Sequence, residues 1–594
     1  MRLAETCNDI LPLRIAEFET LPEALDYAAR GRTGFNFFSS RGQPSSALTY
    51  AELRESAIDL ARRLVAARFA PGSRIGIIAE TTPEFMTFLF ACQYASLVPV
   101  PLPANLNVGG HQAYVDRLRG MLAAARPVAA VGSVDVLRFL REAASGLGLV
   151  MVDTCDAFFA LPAKNADIRP FGRDDPCYVQ YSSGSTSQPR GIPVTQRALI
   201  SNAQAIGKHG LALRAGDRAT SWLPLYHDMG LVGFCLTPML SQITVDYLAT
   251  SSFALRPRLW LKLISEFRST ISFSPTFGYE LCVRRSVKDG GSDFDLSSWR
   301  AAGVGGEMVR VDVLERFASV FAESGFDNRA FIPSYGLAEA TLAVTFTPLG
   351  HGMGIDVIDR DAYERSGRAE PIINGADSDP HRVRAFVSCG APLPGYEVSI
   401  CDDAGLRLLD RTIGRVIVAS PSVMPGYLQE TEENPTVILP DGRLDTGDMG
   451  YMFDGELVIT GRRKDMIICN GRNIWPQDLE WPVELLANVR SGSVAAFSVL
   501  GEEGQEQIVV VVECYTTDAA ARRALELDLL STVHRRAAVL CKLVLVAPRS
   551  LPYTSSGKLS RATAKAQYLE GSLTLAEPPS GVASRDAAAL QAPA

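Results

Sequence analysis

Apolar positions along the first half of the chain alternate between a helical and a strand period. Thr49 and Glu52 form a capping-box pattern ahead of an amphipathic stretch, which predicts a helix. The run 71–80, PGSRIGIIAE, predicts a turn and a buried strand, and Thr82 with Pro83 predicts the start of a second helix. Further runs with strand character are LVPVPLPA (97–104), AVGSV (130–134) and YVQYSS (178–183). This alternation predicts an α/β fold with a mostly parallel sheet covered by helices.

The second half of the chain has a different pattern. A charged, loop-rich segment occupies about 348–386, and glycine-bounded β-rich runs follow it, GRVIVAS (414–420) and GELVITG (455–461). A compact α+β stretch comes next, and the last residues are poor in large apolar side chains. We therefore predict a large N-terminal domain over 1–464 that contains the charged segment and a β-rich subdomain, a small α+β domain over 465–575, and a disordered tail over 576–594.

The composition argues against several classes of protein. The chain has 594 residues, 47% of them hydrophobic, so more than one core is expected. Its net charge of −8 argues against a nucleic-acid partner. The N-terminus lacks the basic start and apolar core of a signal peptide, and no run of about 18 uncharged apolar residues predicts a transmembrane segment. The 11 cysteines include no CxxC pair, so we expect reduced thiols in a cytoplasmic protein without a structural zinc site.

The most informative stretch is a Ser/Thr/Gly-rich loop, CYVQYSSGSTSQPRG, at 177–191. Such a loop offers backbone N–H groups, hydroxyls and one cation to a polyphosphate, because glycine lets the main chain approach the phosphate oxygens closely. It is not a Walker A loop, since Pro189 stands where the second glycine should be. Taken alone, the run is more typical of a flexible surface turn.

Five further segments follow this loop and carry polar side chains suited to chemistry. Each has a simple structural explanation by itself, such as a satisfied His–Asp pair, an Asx-turn or a solvated charged face. Six such segments in one chain are not plausible by chance. The five are SWLPLYHDMGLVG (221–233), PSYGLAEAT (333–341), RLDTGDMG (443–450), GRRKDMIICNGRNIWPQDLE (461–480) and LPYTSSGKLSR (551–561).

Together these motifs resemble the adenylate-forming superfamily of acyl-CoA synthetases, luciferases and peptide-synthetase adenylation domains, over residues from about 20 to 570. Within that superfamily the chain is most similar to the fatty acyl-AMP ligases. The likeness rests on the motif at 221–233, SPTFGYELCVRR (274–285), DLSSWR (295–300), PSYGLAEATLAVT (333–345), VSCGAPLPG (387–395) and GRNIWPQDLE (471–480). The segment 348–386 also matches the position of the insertion that distinguishes these ligases from acyl-CoA synthetases.

The resemblance implies a nucleotide site for ATP and Mg²⁺. Glu339 would bind the metal together with Thr186, and Tyr335 would lie against the adenine beside Gly336. Asp448 would accept hydrogen bonds from the ribose hydroxyls, with Arg462 nearby. The phosphate loop would comprise Ser182, Ser183, Gly184, Ser185, Thr186 and Arg190, and the wall facing the adenine would comprise Gly305, Gly306 and Glu307.

The resemblance also implies catalytic and mobile parts. Lys558 would touch the α-phosphate and the substrate carboxylate, and His227 would close the acyl side of the site. Asp465 would be the hinge about which a mobile C-terminal domain rotates between adenylation and thiol transfer. Two residues depart from the pattern of many relatives, Val304 in place of an asparagine and Gln196 in place of a histidine; either substitution could retune the adenine pocket or the phosphate loop.

The family implies a fatty acid as substrate and an acyl carrier protein as acceptor. Candidates for an acyl tunnel are Met229, Phe234, Phe253, Phe273 and Phe277, although core packing explains these residues equally well. Carrier proteins of this kind are usually acidic, and the C-terminal part has a surplus of basic residues that would suit one. These residues are Arg522, Arg523, Arg535, Arg536, Arg561 and Lys565, which are also typical of a solvated face.

Three functions remain open on the sequence alone. The first is a fatty acyl-AMP ligase that supplies a carrier protein in lipid or polyketide assembly. The second is an ordinary fatty acyl-CoA synthetase, and the third is a catalytically silent relative that acts as a binding or scaffold protein. The presence of Glu339, Asp448 and Lys558 together favours an active enzyme, and an amino-acid adenylation domain is disfavoured because no acidic residue is clearly placed to meet an α-ammonium group. We expect the first function.

Overall fold

The structure is a computed structural model that describes residues 2–6, 11–104, 110–163, 166–182, 190–289, 294–372, 382–429, 436–469, 471–501, 506–537, 539–554 and 558–576. Its contacts divide the chain into two compact units. Of the described residues, the large unit comprises those within 2–182, 190–356 and 385–459, and the small unit comprises those within 357–384 and 460–576. This grouping places most of the charged segment in the small unit, whereas the sequence-based division places it in the N-terminal domain. The domain boundaries themselves stay a prediction.

Helices occur throughout both units. They are α1 (Leu21–Ala28), α2 (Tyr50–Ala66), α3 (Pro83–Tyr94), α4 (Gly110–Ala125), α5 (Val134–Ala144), α6 (Cys155–Phe159), α7 (Gln196–Ala205), α8 (Asp228–Leu231), α9 (Thr237–Leu240), α10 (Thr250–Leu255), α11 (Arg258–Phe267), α12 (Thr276–Asp289), α13 (Val311–Phe321), α14 (Arg360–Ser366), α15 (Pro476–Glu484), α16 (Ala519–Ala537) and α17 (Arg561–Leu569).

Strands alternate with these helices. They are β1 (Gly34–Phe38), β2 (Pro44–Thr49), β3 (Arg74–Ile78), β4 (Val98–Leu102), β5 (Ala129–Gly132), β6 (Met151–Thr154), β7 (Pro176–Ser182), β8 (Arg190–Thr195), β9 (Arg218–Ser221), β10 (Thr244–Leu248), β11 (Ile271–Ser274), β12 (Ala301–Val304), β13 (Phe331–Gly336), β14 (Ala343–Phe346), β15 (Ile355–Asp359), β16 (Val383–Val387), β17 (Ala391–Pro392), β18 (Glu397–Cys401), β19 (Gly414–Ala419), β20 (Leu444–Phe453), β21 (Glu456–Arg462), β22 (Ile467–Cys469), β23 (Arg472–Ile474), β24 (Val494–Leu500), β25 (Glu506–Glu513) and β26 (Cys541–Val546).

Local sequence signals account for two of the helix starts. Thr49 is the N-cap of α2, and its side chain and that of Glu52 form the reciprocal bonds of a capping box. Thr82 caps α3, whose first residue is Pro83. Both predicted helix starts are therefore confirmed.

Two mostly parallel sheets form the α/β part of the large unit. One has nine strands in the order β17-β14-β13-β12-β11-β9-β10-β1-β2, and the other has four in the order β4-β3-β5-β6. The four-stranded sheet is wholly parallel, whereas β2, β14 and β17 pair antiparallel at the edges of the larger one. The interior strands β3, β5 and β10 are almost entirely buried, as expected for parallel strands covered on both faces. The α/β prediction is confirmed.

The strand that leads into the phosphate loop does not join either parallel sheet. Strand β7, which contains most of the run YVQYSS, pairs antiparallel with β8 in a separate two-stranded sheet. The continued parallel alternation predicted here is wrong. The connection at 183–189 is too short for the crossover of about a dozen residues that parallel neighbours need, so the chain returns as a hairpin.

Antiparallel pairing dominates the rest of the chain. Strands β18-β19-β20-β21 form a four-stranded sheet, which matches the predicted β-rich subdomain. The described residues of the charged, loop-rich segment also contain β15, α14 and most of β16. In the small unit, β24, β25 and β26 form a sheet whose buried residues pack against α15, α16 and α17. Among the described residues, no helix is both long and apolar enough to cross a membrane.

Candidate active site

Tyr335 and Asp448 meet in the large unit, although 113 residues separate them along the chain. Tyr335 lies on β13 and Asp448 on β20. The Tyr335 hydroxyl donates a hydrogen bond of 2.8 Å to Asp448 Oδ2, and both side chains are buried. At Gly336, a Cβ atom would collide with the Leu342 carbonyl, so this position requires glycine. The structure thus brings together the two residues expected at the adenine and the ribose.

The residues of the predicted adenine wall follow β12, which is parallel to β13. Parallel neighbours place their carboxyl ends at the same edge of a sheet, so the wall and Tyr335 emerge on one side. Gly306 has a φ of +79°, which favours glycine. A Cβ atom on Gly305 would lie 3.1 Å from the Ser334 carbonyl oxygen. Glu307 has a contact that the sequence did not suggest, since its Oε1 accepts a 3.1 Å hydrogen bond from the Phe277 N–H at the start of α12.

A second cluster surrounds Glu339. The Tyr427 hydroxyl donates a hydrogen bond of 2.9 Å to Glu339 Oε1 and accepts one of 3.4 Å from Arg190 Nη1. The Arg190 guanidinium also lies 5.3 Å from the centre of the Tyr427 ring. Burial and the Glu339 charge raise the pKa of Tyr427, while Arg190 opposes the shift. The hydroxyl therefore stays protonated at neutral pH. Tyr427 was not predicted from the sequence, where its local signal is its place directly after Pro425 and Gly426.

The beginning of the phosphate loop fits an anionic ligand. Ser182 ends β7, and its Oγ is buried without a hydrogen-bond partner among the described residues. The loop's far end carries Arg190, a permanent cation that matches phosphate oxygens. The predicted residues Ser183, Gly184, Ser185 and Thr186 lie outside the described residues.

The described residues also fit Mg²⁺ bound partly through nucleotide phosphates. Among all the residues that the structure describes, no group of three or more His, Cys, Asp or Glu side chains is arranged to hold a metal ion. Mg²⁺ commonly binds through one or two carboxylates plus substrate phosphates instead of a cage built only from protein. The Glu339 carboxylate is a suitable ligand of this kind.

His227 stands just before the short helix α8 and is mostly buried. Its Nδ1 lies 3.5 Å from Asp228 Oδ1, and the two side chains are 17% and 19% exposed. The turn is tight, because a Cβ atom on Gly230 would collide with the Pro224 carbonyl. This geometry fits both the structural His–Asp pair and the predicted role on the acyl side.

The candidate acyl-tunnel residues form part of the aromatic core of the large unit. Phe253 stacks on Trp222 with ring centres 3.8 Å apart, and Phe277 meets the edge of the same indole. Phe234 and Phe273 pack against each other, and Met229 and Phe277 are only partly buried. Trp222 Nε1 is buried with no hydrogen-bond partner in the described structure. Core packing accounts for these positions, and a tunnel through them stays a prediction.

The remaining predicted residues belong to the small unit. Arg462 ends β21 and is exposed, and Asp465 lies in a short 3₁₀ turn, Arg463–Asp465. The Lys558 backbone is hydrogen-bonded to Thr554, since its N–H donates to Thr554 Oγ1 and its carbonyl accepts from the Thr554 N–H.

Arg561, which the sequence placed in a basic surface, instead forms ion pairs inside the small unit. Its guanidinium donates to Asp465 Oδ2 at 3.3 Å and to Glu480 at 2.6 Å and 2.7 Å. Only 20% of the Arg561 side chain is exposed. Arg561 therefore does not belong to the predicted carrier surface, and it contacts the predicted hinge residue.

The two departures from the family pattern occupy buried positions. Val304 is the last residue of β12 and is fully buried. Gln196 accepts a hydrogen bond of 3.0 Å from the Leu21 N–H and donates one of 2.7 Å to Gln93 Oε1. Gln196 therefore ties α7 to the start of α1 and to α3, which is a structural role within the core.

Comparison with known proteins identifies the family. A family model described as AMP-binding enzyme matches residues 26–428. A Caulobacter vibrioides protein named provisionally as an acyl-CoA synthetase is 44% identical over 94% of this chain and 97% of its own length. The medium-chain-fatty-acid–[acyl-carrier-protein] ligase JamA of Moorena producens is 32% identical over 97% of this chain and 99% of JamA. A structure from a study of fatty acyl-adenylate ligases of E. coli and L. pneumophila has a TM-score of 0.89 and 41% identity, covering 94% of this chain and 99% of that one.

The chain belongs to the AMP-binding enzyme family. Within it, the resemblance to the fatty acyl-AMP ligases is confirmed by similarity in sequence and in fold across nearly the whole chain. The roles assigned to individual residues stay predictions.

Proposed function

We propose that this protein activates a fatty acid with ATP as an acyl-adenylate, releases pyrophosphate, and passes the acyl group to the phosphopantetheine thiol of an acyl carrier protein in lipid or polyketide assembly. The proposal rests on two hydrogen-bonded groups in the large unit. Tyr335 is bonded to Asp448 in the first group, and Tyr427 connects Glu339 and Arg190 in the second. Relatives support the acceptor, since JamA is named as a ligase to an acyl carrier protein.

The first step brings together two groups that are both negatively charged. A carboxylate oxygen attacks the α-phosphorus of ATP, the bond to the bridging oxygen breaks, and pyrophosphate leaves. Catalysis then depends on holding the partners in place and on neutralising charge at the phosphoryl oxygens. Arg190 would supply a fixed cation at the end of the phosphate loop. Mg²⁺, held by Glu339 and Thr186, would neutralise the phosphate charge further.

The adenosine end would be held by the pair on β13 and β20. Asp448, as a carboxylate, can accept hydrogen bonds from both ribose hydroxyls. The Tyr335 hydroxyl donates to Asp448, so the ring expected against the adenine also orients the acid expected at the ribose. Gly305 and Gly306 would let the adenine approach the backbone, because neither carries a side chain.

By the same resemblance, Lys558 would touch the α-phosphate and the substrate carboxylate, and Arg462 would lie near the ribose. Removal of one such charge-stabilising contact typically costs about 10²–10³ in rate. Asp465 would act as the hinge for the change from adenylation to thiol transfer.

The acceptor would dock through exposed basic residues of α16. Arg523 and Arg535 are both exposed and suit an acidic carrier protein. Exchanging both for glutamate should slow carrier loading while acyl-adenylate formation continues. Unchanged loading would contradict this docking surface. A cytoplasmic location is part of the same proposal and is supported by the described cysteines, which are all free thiols.

A second candidate function is a fatty acyl-CoA synthetase, which the provisional name of the Caulobacter vibrioides relative favours. In that case coenzyme A would replace the carrier protein as acceptor, and the chemistry of the first step would be unchanged.

The first step is tested by following acyl-adenylate from ATP, Mg²⁺ and fatty acids of several chain lengths. We expect the wild-type protein to form acyl-adenylate and the variants Lys558→Ala and Glu339→Gln to form far less. Equal product from both variants would contradict the proposed site, and no product from the wild type with any acid would contradict the activity.

A further inference from the structure

The segment that carries Tyr427 is hydrogen-bonded to both sides of the proposed phosphate site. The Met424 N–H donates to the Glu339 carbonyl at 2.8 Å, and the Leu428 N–H donates to the Gly191 carbonyl at 2.8 Å. We call residues 424–428 the bracing segment. At one end the bracing segment contacts the backbone of Glu339, the proposed metal ligand. At the other end it contacts the backbone of Gly191, the residue after Arg190.

Glycine positions let the bracing segment approach closely. Gly426 has a φ of +149°, in the region that favours glycine. At Gly191, a Cβ atom would come within 2.9 Å of the Leu428 side chain. These contacts set the backbone path, and the path directs the Tyr427 ring between the Arg190 and Glu339 side chains.

Tyr427 then links the two charged groups through a chain of hydrogen bonds. Arg190 donates to the Tyr427 oxygen, and the Tyr427 hydroxyl donates to Glu339 Oε1. In such a chain a cation polarises the phenol and strengthens its bond to the carboxylate. The phenol is neutral, so it orients the carboxylate at one oxygen without cancelling the negative charge that a divalent cation needs.

We propose that Tyr427 is a positioning residue that holds the Glu339 carboxylate in the orientation required for Mg²⁺ and couples that orientation to Arg190. This inference rests on the proposed role of Glu339 as a metal ligand. Tyr427 itself would touch neither the reacting atoms nor the metal. It would act through Glu339, the proposed metal ligand, and Arg190, the proposed phosphate ligand.

The test is binding of ATP to the full chain without fatty acid, measured by calorimetry with Mg²⁺ and, separately, with EDTA. Tyr427→Phe keeps the ring over Arg190 and removes only the hydroxyl. The gain from Mg²⁺ is the ratio of the ATP affinity measured with Mg²⁺ to that measured with EDTA. We expect this ratio to be about tenfold smaller in the variant than in the wild type, which is the loss expected for one hydrogen bond to a charged group. An unchanged Mg²⁺-dependent gain would overturn the proposal, and so would an equal loss of affinity with Mg²⁺ and with EDTA.

Two further variants separate positioning from general stability. Tyr50→Phe removes another buried hydroxyl, which donates to the Ile243 carbonyl, and should leave the Mg²⁺-dependent gain unchanged. Adding Tyr427→Phe to Glu339→Gln should cause no further loss, because the carboxylate to be oriented is gone. A further tenfold loss in the double variant would refute action through Glu339. If Tyr427→Phe is less stable, the titrations are made below its unfolding temperature.

Failure of this inference is distinguishable from failure of the proposed function. A wild-type protein that forms acyl-adenylate, together with a Tyr427→Phe variant whose Mg²⁺ response is normal, refutes only the role of Tyr427. A wild-type protein that binds Mg²⁺ and ATP with the predicted dependence on Tyr427, but forms no acyl-adenylate, refutes only the proposed function.

Discussion

Replacing Arg561 with methionine should destabilise the small unit, because Arg561 is the shared partner of two acidic groups. Glu480 is 4% exposed and Asp465 is 18% exposed in their ion pairs with it. Removing one partner of a buried ion pair typically costs about 3–5 kcal/mol, since the other charge is left uncompensated. Glu480 Oε1 also accepts a hydrogen bond from the Ala496 N–H, and Asp465 is partly solvated, so we expect the lower end, about 3 kcal/mol.

The assay is urea unfolding of the full chain, followed by hydrogen exchange to localise the loss. The Arg561→Met variant should lose stability in the small unit, with faster exchange around Asp465 and at Ala496. A matched double variant, Arg561→Met with Glu480→Leu, should recover much of that loss, because a well-packed apolar pair often replaces a buried ion pair at little cost. An Arg561→Met variant whose free energy of unfolding lies within about 0.5 kcal/mol of the wild-type value would show that these ion pairs do not stabilise the small unit.

Three other changes have defined outcomes. Arg472→Met should speed hydrogen exchange in α14, because Arg472 Nε donates a 2.9 Å hydrogen bond to the buried Glu364 of that helix. Unchanged exchange would show that this ion pair does not stabilise α14. Asp448→Asn should weaken ATP binding about tenfold in calorimetry, since a neutral amide is a poorer acceptor for ribose hydroxyls; equal affinity would exclude Asp448 from the ribose. Burial raises the pKa of Glu80, so the folded state favours the protonated carboxyl. The stability that the protonated carboxyl contributes is present below about pH 4.5 and is lost as the pH rises through the pKa of the folded state. Glu80→Gln should therefore melt higher than the wild type at pH 7.5, by a margin that shrinks toward pH 4; a constant margin would contradict the shift.

Local signals in the sequence predicted the elements that depend on neighbouring residues. The capping patterns at Thr49 and Thr82 place the starts of α2 and α3 correctly, because a cap involves residues within one turn. The parallel sheets follow from buried, β-branched runs alternating with helices. The pairing of β7 with β8 was missed, although the seven residues between them, 183–189, are too few for a crossover.

Contacts between distant residues could not be predicted from one sequence. Tyr427 lies 88 residues from Glu339 and 237 from Arg190 along the chain, and no local pattern connects the three. The charged segment illustrates the same limit. Its composition is typical of a solvated loop, yet Glu364 is buried because Arg472, 108 residues later, pairs with it.

We propose that the activated acyl group goes to a carrier protein and not to coenzyme A. The most direct measurement offers the purified protein ATP, Mg²⁺, a fatty acid, coenzyme A and a phosphopantetheine-loaded carrier together, and quantifies each acyl product by mass spectrometry, with Lys558→Ala as the control. We predict acyl-adenylate and acyl-carrier protein from the wild type, little acyl-CoA, and neither main product from the variant. Acyl-CoA as the dominant product would rule out the carrier protein as the main acceptor and identify an acyl-CoA synthetase.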